Sequence, residues 1–443
     1  NFKYVNFLAI FTPLKQIIYF GKANDMNLKL RLTLMNFLQF YVWGSWLITL
    51  ANYWFGTKQW GPTEFGAVFL TLGIASMFMP TLTGIIADRW MNAEKLYAVL
   101  HILGGITVFC FPLVGSPNGF FWAMLVAMCF YMPTIALTNT IGYNALKKGG
   151  FDVVKDFPPI RVWGTIGFIA AMWVTNLTGN KSSEMMFYFS AIGSVLLGMY
   201  SFTLPKCPPQ MKVEKNSSFI RLLGLDAFKL FGNYKMALFF IFSMLLGASL
   251  QLTNMYGDVF LDDFKHFPEY AESFVVRYST IIMSISQMSE TLFILTIPFF
   301  LKRFGIKNVM LFSMFAWFLR FALFGFGDPA GGLWMIILSC IVYGMAFDFF
   351  NISGSLFVET QCDSSIRASA QGLFMMMTNG FGTIIGAFGS GIIIEKFFIL
   401  ENGFKDWQGI WVAFATYSLI VAILFAVLFK HKHNPTEVQN ISH

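Results

Sequence analysis

The sequence predicts an all-α membrane protein of twelve transmembrane helices arranged as two six-helix halves, and three observations lead there. Apolar residues fill 56% of the 443 positions, charged residues only 12%, and the mean hydropathy is +0.62. An ordinary soluble domain carries about 25% charged residues, so lipid is the solvent for most of this chain. The apolar residues also gather into windows of about 20, the length a helix needs to cross the hydrocarbon core. Finally, the longest connection, from Pro205 to Lys235, carries Pro205, Pro208, Pro209 and a cluster of Lys and Arg, and it divides the windows six and six.

In chain order the first half comprises windows at 32–54, 65–87, 96–114, 118–146, 158–179 and 184–204. The second comprises 236–260, 274–301, 306–326, 332–357, 369–395 and 408–429. The expected units are therefore a first half over 26–204, a cytoplasmic linker over 205–235, a second half over 236–430 and a cytoplasmic tail over 431–443. Residues 1–25 stand apart, because Met26-Asn27-Leu28-Lys29 reads as a natural start. Their apolar stretches are interrupted by Pro13 and Lys15 and are too short to span, so an upstream extension that lies at the interface or is disordered is expected.

Charge sets the orientation. Lys and Arg concentrate on the side that holds both termini and the central linker, whereas the other side collects Lys58, Lys181, Lys265, Lys396 and Lys405. By the positive-inside rule both termini are expected in the cytoplasm. The net charge of +7 is thus a topology signal, with no nucleic-acid partner implied. Five cysteines are scattered without a C-x-x-C pair, so neither a disulfide framework nor a metal site is expected. The chain lacks a G-x-x-x-x-G-K-[ST] loop, an H-E-x-x-H motif and a Ser/His/Asp grouping, which argues against ATP-driven transport, hydrolysis and any cofactor. An enzyme is not expected.

The connection between windows two and three, Gly84-Ile-Ile-Ala-Asp88-Arg89, is matched in the second half by Leu301-Lys302-Arg303-Phe304-Gly305-Ile306-Lys307. The first resembles the G-x-x-x-D-R loop of the major facilitator superfamily, which would make Gly84, Asp88 and Arg89 a conformational latch. The plainer reading is a basic cytoplasmic turn.

Ionisable or amide-bearing residues inside bilayer helices are costly and mark function by default. Asp348, within Tyr343-Gly-Met-Ala-Phe347-Asp348-Phe-Phe-Asn351, lies more than two turns from either end of its window. A carboxyl at that depth is a candidate reversible proton carrier, or else a buried helix–helix hydrogen bond. In window eight Gln287 and Glu290 are three apart and share a face; in window seven Gln251 and Asn254 do the same. Each pair could bind a ligand or join helices. In window five Arg161, Thr165 and Phe168 fall at i, i+4 and i+7. They could line a cavity, or Arg161 could snorkel to the headgroups. Arg277 and Arg320 lie toward the outer ends of windows eight and nine, where snorkelling or an outer contact is expected. Trp43 and Trp46 are expected to pack, and the glycines of window eleven to permit close helix approach.

Longer stretches carry a family resemblance. Phe37-Leu-Gln-Phe40 with Trp43-Gly-Ser-Trp46, Asp156-Phe-Pro-Pro-Ile-Arg161, Leu222-Leu-Gly-Leu-Asp226, Ser284-Ile-Ser-Gln287-Met-Ser-Glu290, Ala346-Phe-Asp348-Phe-Phe-Asn-Ile-Ser-Gly-Ser355 and Ile366-Arg-Ala-Ser-Ala-Gln-Gly372 resemble the bacterial nucleoside:proton symporters of the major facilitator superfamily. The resemblance implies import of purine and pyrimidine nucleosides, driven by protons, through a monomer in the bacterial cytoplasmic membrane. It implies substrate binding by Arg161, Thr165, Phe168, Gln251, Asn254, Gln287, Glu290, Tyr343 and Phe347, and proton coupling by Asp348 and Glu290. Amides and carboxylates suit ribose hydroxyls, and aromatic rings suit a flat base. Asp258 departs from the pattern and is expected only to decorate the outer mouth of helix seven. A sugar or organic-anion importer anchored by Arg161 is the alternative.

Overall fold

The computed structural model describes residues 23–209, 225–363 and 366–432. Helix α1 covers Ala23–Gly44 and continues through turns into a π-helical turn at Asn52–Thr57. The expected start at Met26 therefore falls inside a helix; the rest of the proposed extension, 1–22, lies outside the described residues, as do 210–224 of the linker and 433–443 of the tail. Then follow α2 (Pro62–Arg89), α3 (Ala93–Phe109), α4 (Pro117–Lys148), α5 (Val153–Leu177) and α6 (Met185–Ser201). The second half holds α7 (Tyr234–Asp263), α8 (Ser279–Ile294), α9 (Ile297–Phe326), α10 (Leu333–Gln361), α11 (Arg367–Met375, a π turn at Met376–Phe381, then Gly382–Phe397) and α12 (Trp407–Leu428).

Local chemistry accounts for several of the boundaries. Pro62 and Pro117 occupy first turns, where a missing N–H costs nothing. Ser116, Asn233 and Asp406 cap α4, α7 and α12 by accepting from free backbone N–H groups. Gly305 is the one non-helical residue within α9, at φ 77° and ψ 168°. That left-handed conformation suits glycine, and it turns the chain at the basic connection expected between windows eight and nine. The first turns of α9 thus complete the eighth crossing, and its remainder makes the ninth.

Among the described residues nine helices are long and apolar enough to cross a membrane. The other three crossings depart from a uniform apolar rod for visible reasons. α1 opens with Lys29 and Arg31, α6 has 17 residues, and α8 has 16 before the break ahead of α9.

In the first half α1 packs on α5 and α6, α3 on α4 and α6, and α2 on α4; in the second α9 packs on α10 and α12, α8 on α10, and α7 on α11 and α12. Two long contacts join the halves, α2 with α11 and α5 with α8. Glycine makes the first possible. A Cβ at Gly66 would sit 2.4 Å from the Ala387 carbonyl oxygen, and one at Gly391 2.5 Å from that of Pro62. Gly380, Gly382 and Gly386 are similarly confined, but Gly372 and Gly389 have nothing within 4 Å, so the close-packing expectation holds for only part of α11.

Polar contacts across the halves gather at the end holding the α5–α6 and α7–α8 loops. Lys181 pairs with Asp262 at 2.5 Å and donates to the Val276 carbonyl at 2.6 Å. Asn176 donates to the Arg277 carbonyl at 3.0 Å, and the Thr63 N–H to Glu395 at 3.0 Å. Asp258, expected at an open mouth, is instead fully buried and accepts from Asn52 of the other half. The closed interface removes the water that an exposed carboxylate would need.

Candidate functional site

The first-half wall of the site depends on how closely α5 can approach α1. A Cβ at Gly167 would come within 2.1 Å of the Phe37 carbonyl oxygen, and one at Gly164 within 2.6 Å of the Phe40 ring. On α1, a Cβ at Gly44 would meet the Phe168 carbonyl at 2.5 Å. Backbone therefore lies on backbone, and the side chains between these glycines are set by that contact. Arg161 places its guanidinium 4.1 Å from the Phe40 ring centre, a cation–π distance. It also feels the charges of Glu290 and Asp348 from the other half. Its side chain is partly buried against the Phe40 ring. Thr165 is partly buried on the next turn, and Phe168 is buried edge-on to Trp43 at 6.4 Å.

Trp43 packs, as its spacing leads one to expect. It joins Phe40 at 6.5 Å and Tyr131 at 5.6 Å in an aromatic wall, and its indole N–H has no partner among the described residues.

The second half supplies the carboxylates. Asp348 on α10 is 5% exposed and one of its carboxylate oxygens is unpartnered. Glu290 on α8 lies within electrostatic range of both Asp348 and Arg161, across the join between the halves in the latter case. One turn before Glu290, Gln287 lies close to the Tyr343 hydroxyl. Tyr343 and Phe347 stand one turn apart on α10 with rings 9° from parallel and 6.4 Å between centres. On α7, Gln251 donates to Thr383 of α11 at 3.1 Å and keeps an unpartnered carbonyl oxygen; Asn254 is partly buried on the next turn.

The latch residues lie at the end of α2. A Cβ at Gly84 would meet nothing within 4 Å, so close packing is not what calls for glycine there. Arg89 closes the helix, and the Asp88 side chain lies outside the described residues.

Two features escaped the sequence. Gln39 anchors a buried network in the first half: its side-chain oxygen takes bonds from Tyr97 at 2.6 Å and His101 at 2.8 Å, and its amide donates to Thr134 at 2.8 Å. The backbone oxygen of Gln39 accepts from Tyr131, which ties this network to the aromatic wall. His101, an ionisable residue inside a spanning helix, was the signal that could have revealed it. Arg320, expected to snorkel or to make an outer contact, is 0% exposed and bonded to three neighbouring helices. Those helices supply the hydroxyls and carbonyl that water would otherwise offer.

Residues 26–434 match the family described as nucleoside H+ symporter. The chain belongs to that family. It is 54% identical over 421 residues to the nucleoside permease NupG of Escherichia coli (strain K12), covering 94% of this chain and 100% of the relative. It is 50% identical over 416 residues to the xanthosine permease of the same organism, covering 94% and 99%. A crystal structure of the nucleoside transporter NupG superposes with a TM-score of 0.85 at 55% identity, covering 92% of this chain and all of that one. A bacterial homologue of the lysosomal transporter Spinster, at 14% identity and a TM-score of 0.66, shares the fold. The chain is thus a proton-coupled nucleoside importer of the major facilitator type and not an enzyme.

Proposed function

We propose that nucleoside binds between the two halves, against Arg161, Thr165 and Phe168 on one side and Gln251, Asn254, Gln287, Glu290, Tyr343 and Phe347 on the other, with Asp348 as the proton carrier. The observation that supports this best is the electrostatic proximity of Arg161 to Glu290 and Asp348 across the join. Flanking it are two aromatic walls, Phe40–Trp43–Tyr131–Phe168 and Tyr343–Phe347. A base can stack on the rings while the ribose hydroxyls donate to carboxylate and amide oxygens.

Coupling follows from charge. With both acids ionised, Arg161 is held toward the second half; protonating Asp348 removes part of that attraction, so proton and nucleoside together change how the halves are held. Alternating access then proceeds by rocking of the halves about the α2–α11 and α5–α8 contacts. The basic loops support placing both termini in the cytoplasm of a bacterium, with the protein in its cytoplasmic membrane as a monomer. In that orientation the Lys181–Asp262 end is the outer one, and its polar contacts close it.

Purine and pyrimidine nucleosides are both expected substrates, since stacking and ribose contacts do not distinguish them. The test is uptake of labelled uridine by proteoliposomes under an imposed proton gradient, with adenosine, glucose and gluconate as competitors. Competition by adenosine alone supports the reading; competition by gluconate or glucose overturns it.

A further inference from the structure

Arg320 carries a permanent charge at a fully buried position on α9. Its Nε donates to the Thr253 hydroxyl of α7 at 3.1 Å, and its Nη1 to the Ser286 hydroxyl of α8 at 3.3 Å and the Ser339 carbonyl of α10 at 2.8 Å. The return bond runs from the Ser339 hydroxyl to the Arg320 carbonyl at 2.9 Å. None of these acceptors is a carboxylate, so the charge is met in part by rings. The guanidinium carbon lies 4.6 Å from the centre of Tyr343 and 5.0 Å from that of Phe324. The three polar partners are also placed informatively in sequence. Thr253 precedes Asn254, Ser286 precedes Gln287, and Ser339 is one turn before Tyr343.

We infer that Arg320 is a positioning residue for nucleoside binding, acting through the Tyr343 ring. Its planar fork reads α7, α8 and α10 at once and lies against the ring that, stacked with Phe347, forms the second-half wall. Trp317 closes the remaining side edge-on at 5.8 Å and 89°. A ring held on three sides fixes the shape of the second-half wall, and preorganisation of this kind lowers the cost of binding. Lysine cannot replace it, because one ammonium on a flexible stem makes neither the fork nor the flat stack.

The inference rests on the proposed role of Tyr343, and the test separates the two. Uridine binding to the purified full-length protein in nanodiscs is measured for Arg320→Lys, Tyr343→Leu and the double variant, alongside thermal melting and proton-driven uptake. Arg320→Lys is expected to raise the Kd about tenfold while the maximal uptake rate changes less than twofold. In the Tyr343→Leu background the same change is expected to add nothing further. An unchanged Kd for Arg320→Lys, or additive effects in the double variant, overturns the inference. A Tyr343→Leu variant that binds as the parent overturns the site reading instead, and this inference with it. Should Arg320→Lys fail to fold, Thr253→Val carries the test by freeing Nε. A rise in Kd of about threefold, absent in Thr253→Ser and absent when Tyr343 is Leu, supports the inference; no rise overturns it.

Discussion

At the scale of single residues, the site turns on three charges, and their depth decided how well each could be read. Asp348 was legible because it lies far from both ends of an apolar window, where no loop can rescue a carboxyl. Replacing it with Asn keeps the shape and removes the titration. Asp348→Asn is therefore expected to abolish uptake of uridine against its gradient while retaining exchange of internal for external uridine, measured in the same proteoliposomes. Uphill accumulation that survives would end its role as proton carrier. Arg161 is ambiguous in sequence because its nearness to a helix end permits snorkelling, and the acids within its electrostatic range, Glu290 and Asp348, belong to the other half. Arg161→Met removes the cation while keeping most of the aliphatic stem. It leaves the two acids facing one another uncompensated, and is expected to weaken uridine binding at least about tenfold, in line with about 2 kcal/mol or more for a broken charged contact. Arg320 was misread for the converse reason: position along one helix says nothing about the two hydroxyls and the carbonyl supplied by three others.

At the scale of elements, glycine spacing decides which helices can touch, and the sequence shows the glycines without showing which of them bear the contact. On α5, Gly167 presses on the Phe37 carbonyl, while on α11 Gly372 faces open space. Gly167→Val should therefore push α5 off α1, displace Arg161 and Phe168 together, raise the KM for uridine by about tenfold or more and lower the melting temperature. Gly372→Ala meets no obstacle and gains helix propensity, so its stability should be unchanged or higher by up to about 1 kcal/mol. Equal effects of the two substitutions, measured by melting in detergent, would contradict this division. The helix count, order and the glycine-marked turn at Gly305 were legible because spanning length and basic connections are local properties. The Gln39 network was not, since Gln39, Tyr97, His101 and Thr134 come from three helices whose pairing no window reveals.

At the scale of the whole molecule, transport requires that the contacts closing one end be broken when the other closes, so their strength sets the balance between the two states. Four residues supply charged contacts at that end: Asn52 and Lys181 from the first half, Asp258 and Asp262 from the second. All are withdrawn from bulk water, where a charge-assisted contact contributes about 1.5–3 kcal/mol. Removing both first-half members as Asn52→Leu with Lys181→Met leaves Asp258 and Asp262 without their cross-half partners. Separation of the halves then lets the carboxylates rehydrate, which favours the state open at that end. The expected readout is labelling of a single cysteine at Asn254 by a membrane-impermeant maleimide added outside intact cells, in a background with Cys110, Cys129, Cys207, Cys340 and Cys362 replaced. The double substitution should speed labelling at least about tenfold, because a shift of about 1.4 kcal/mol is a tenfold change in population. A rate equal to that of the parent would mean that closure rests on the apolar α2–α11 and α5–α8 contacts, and that the polar cluster only follows them.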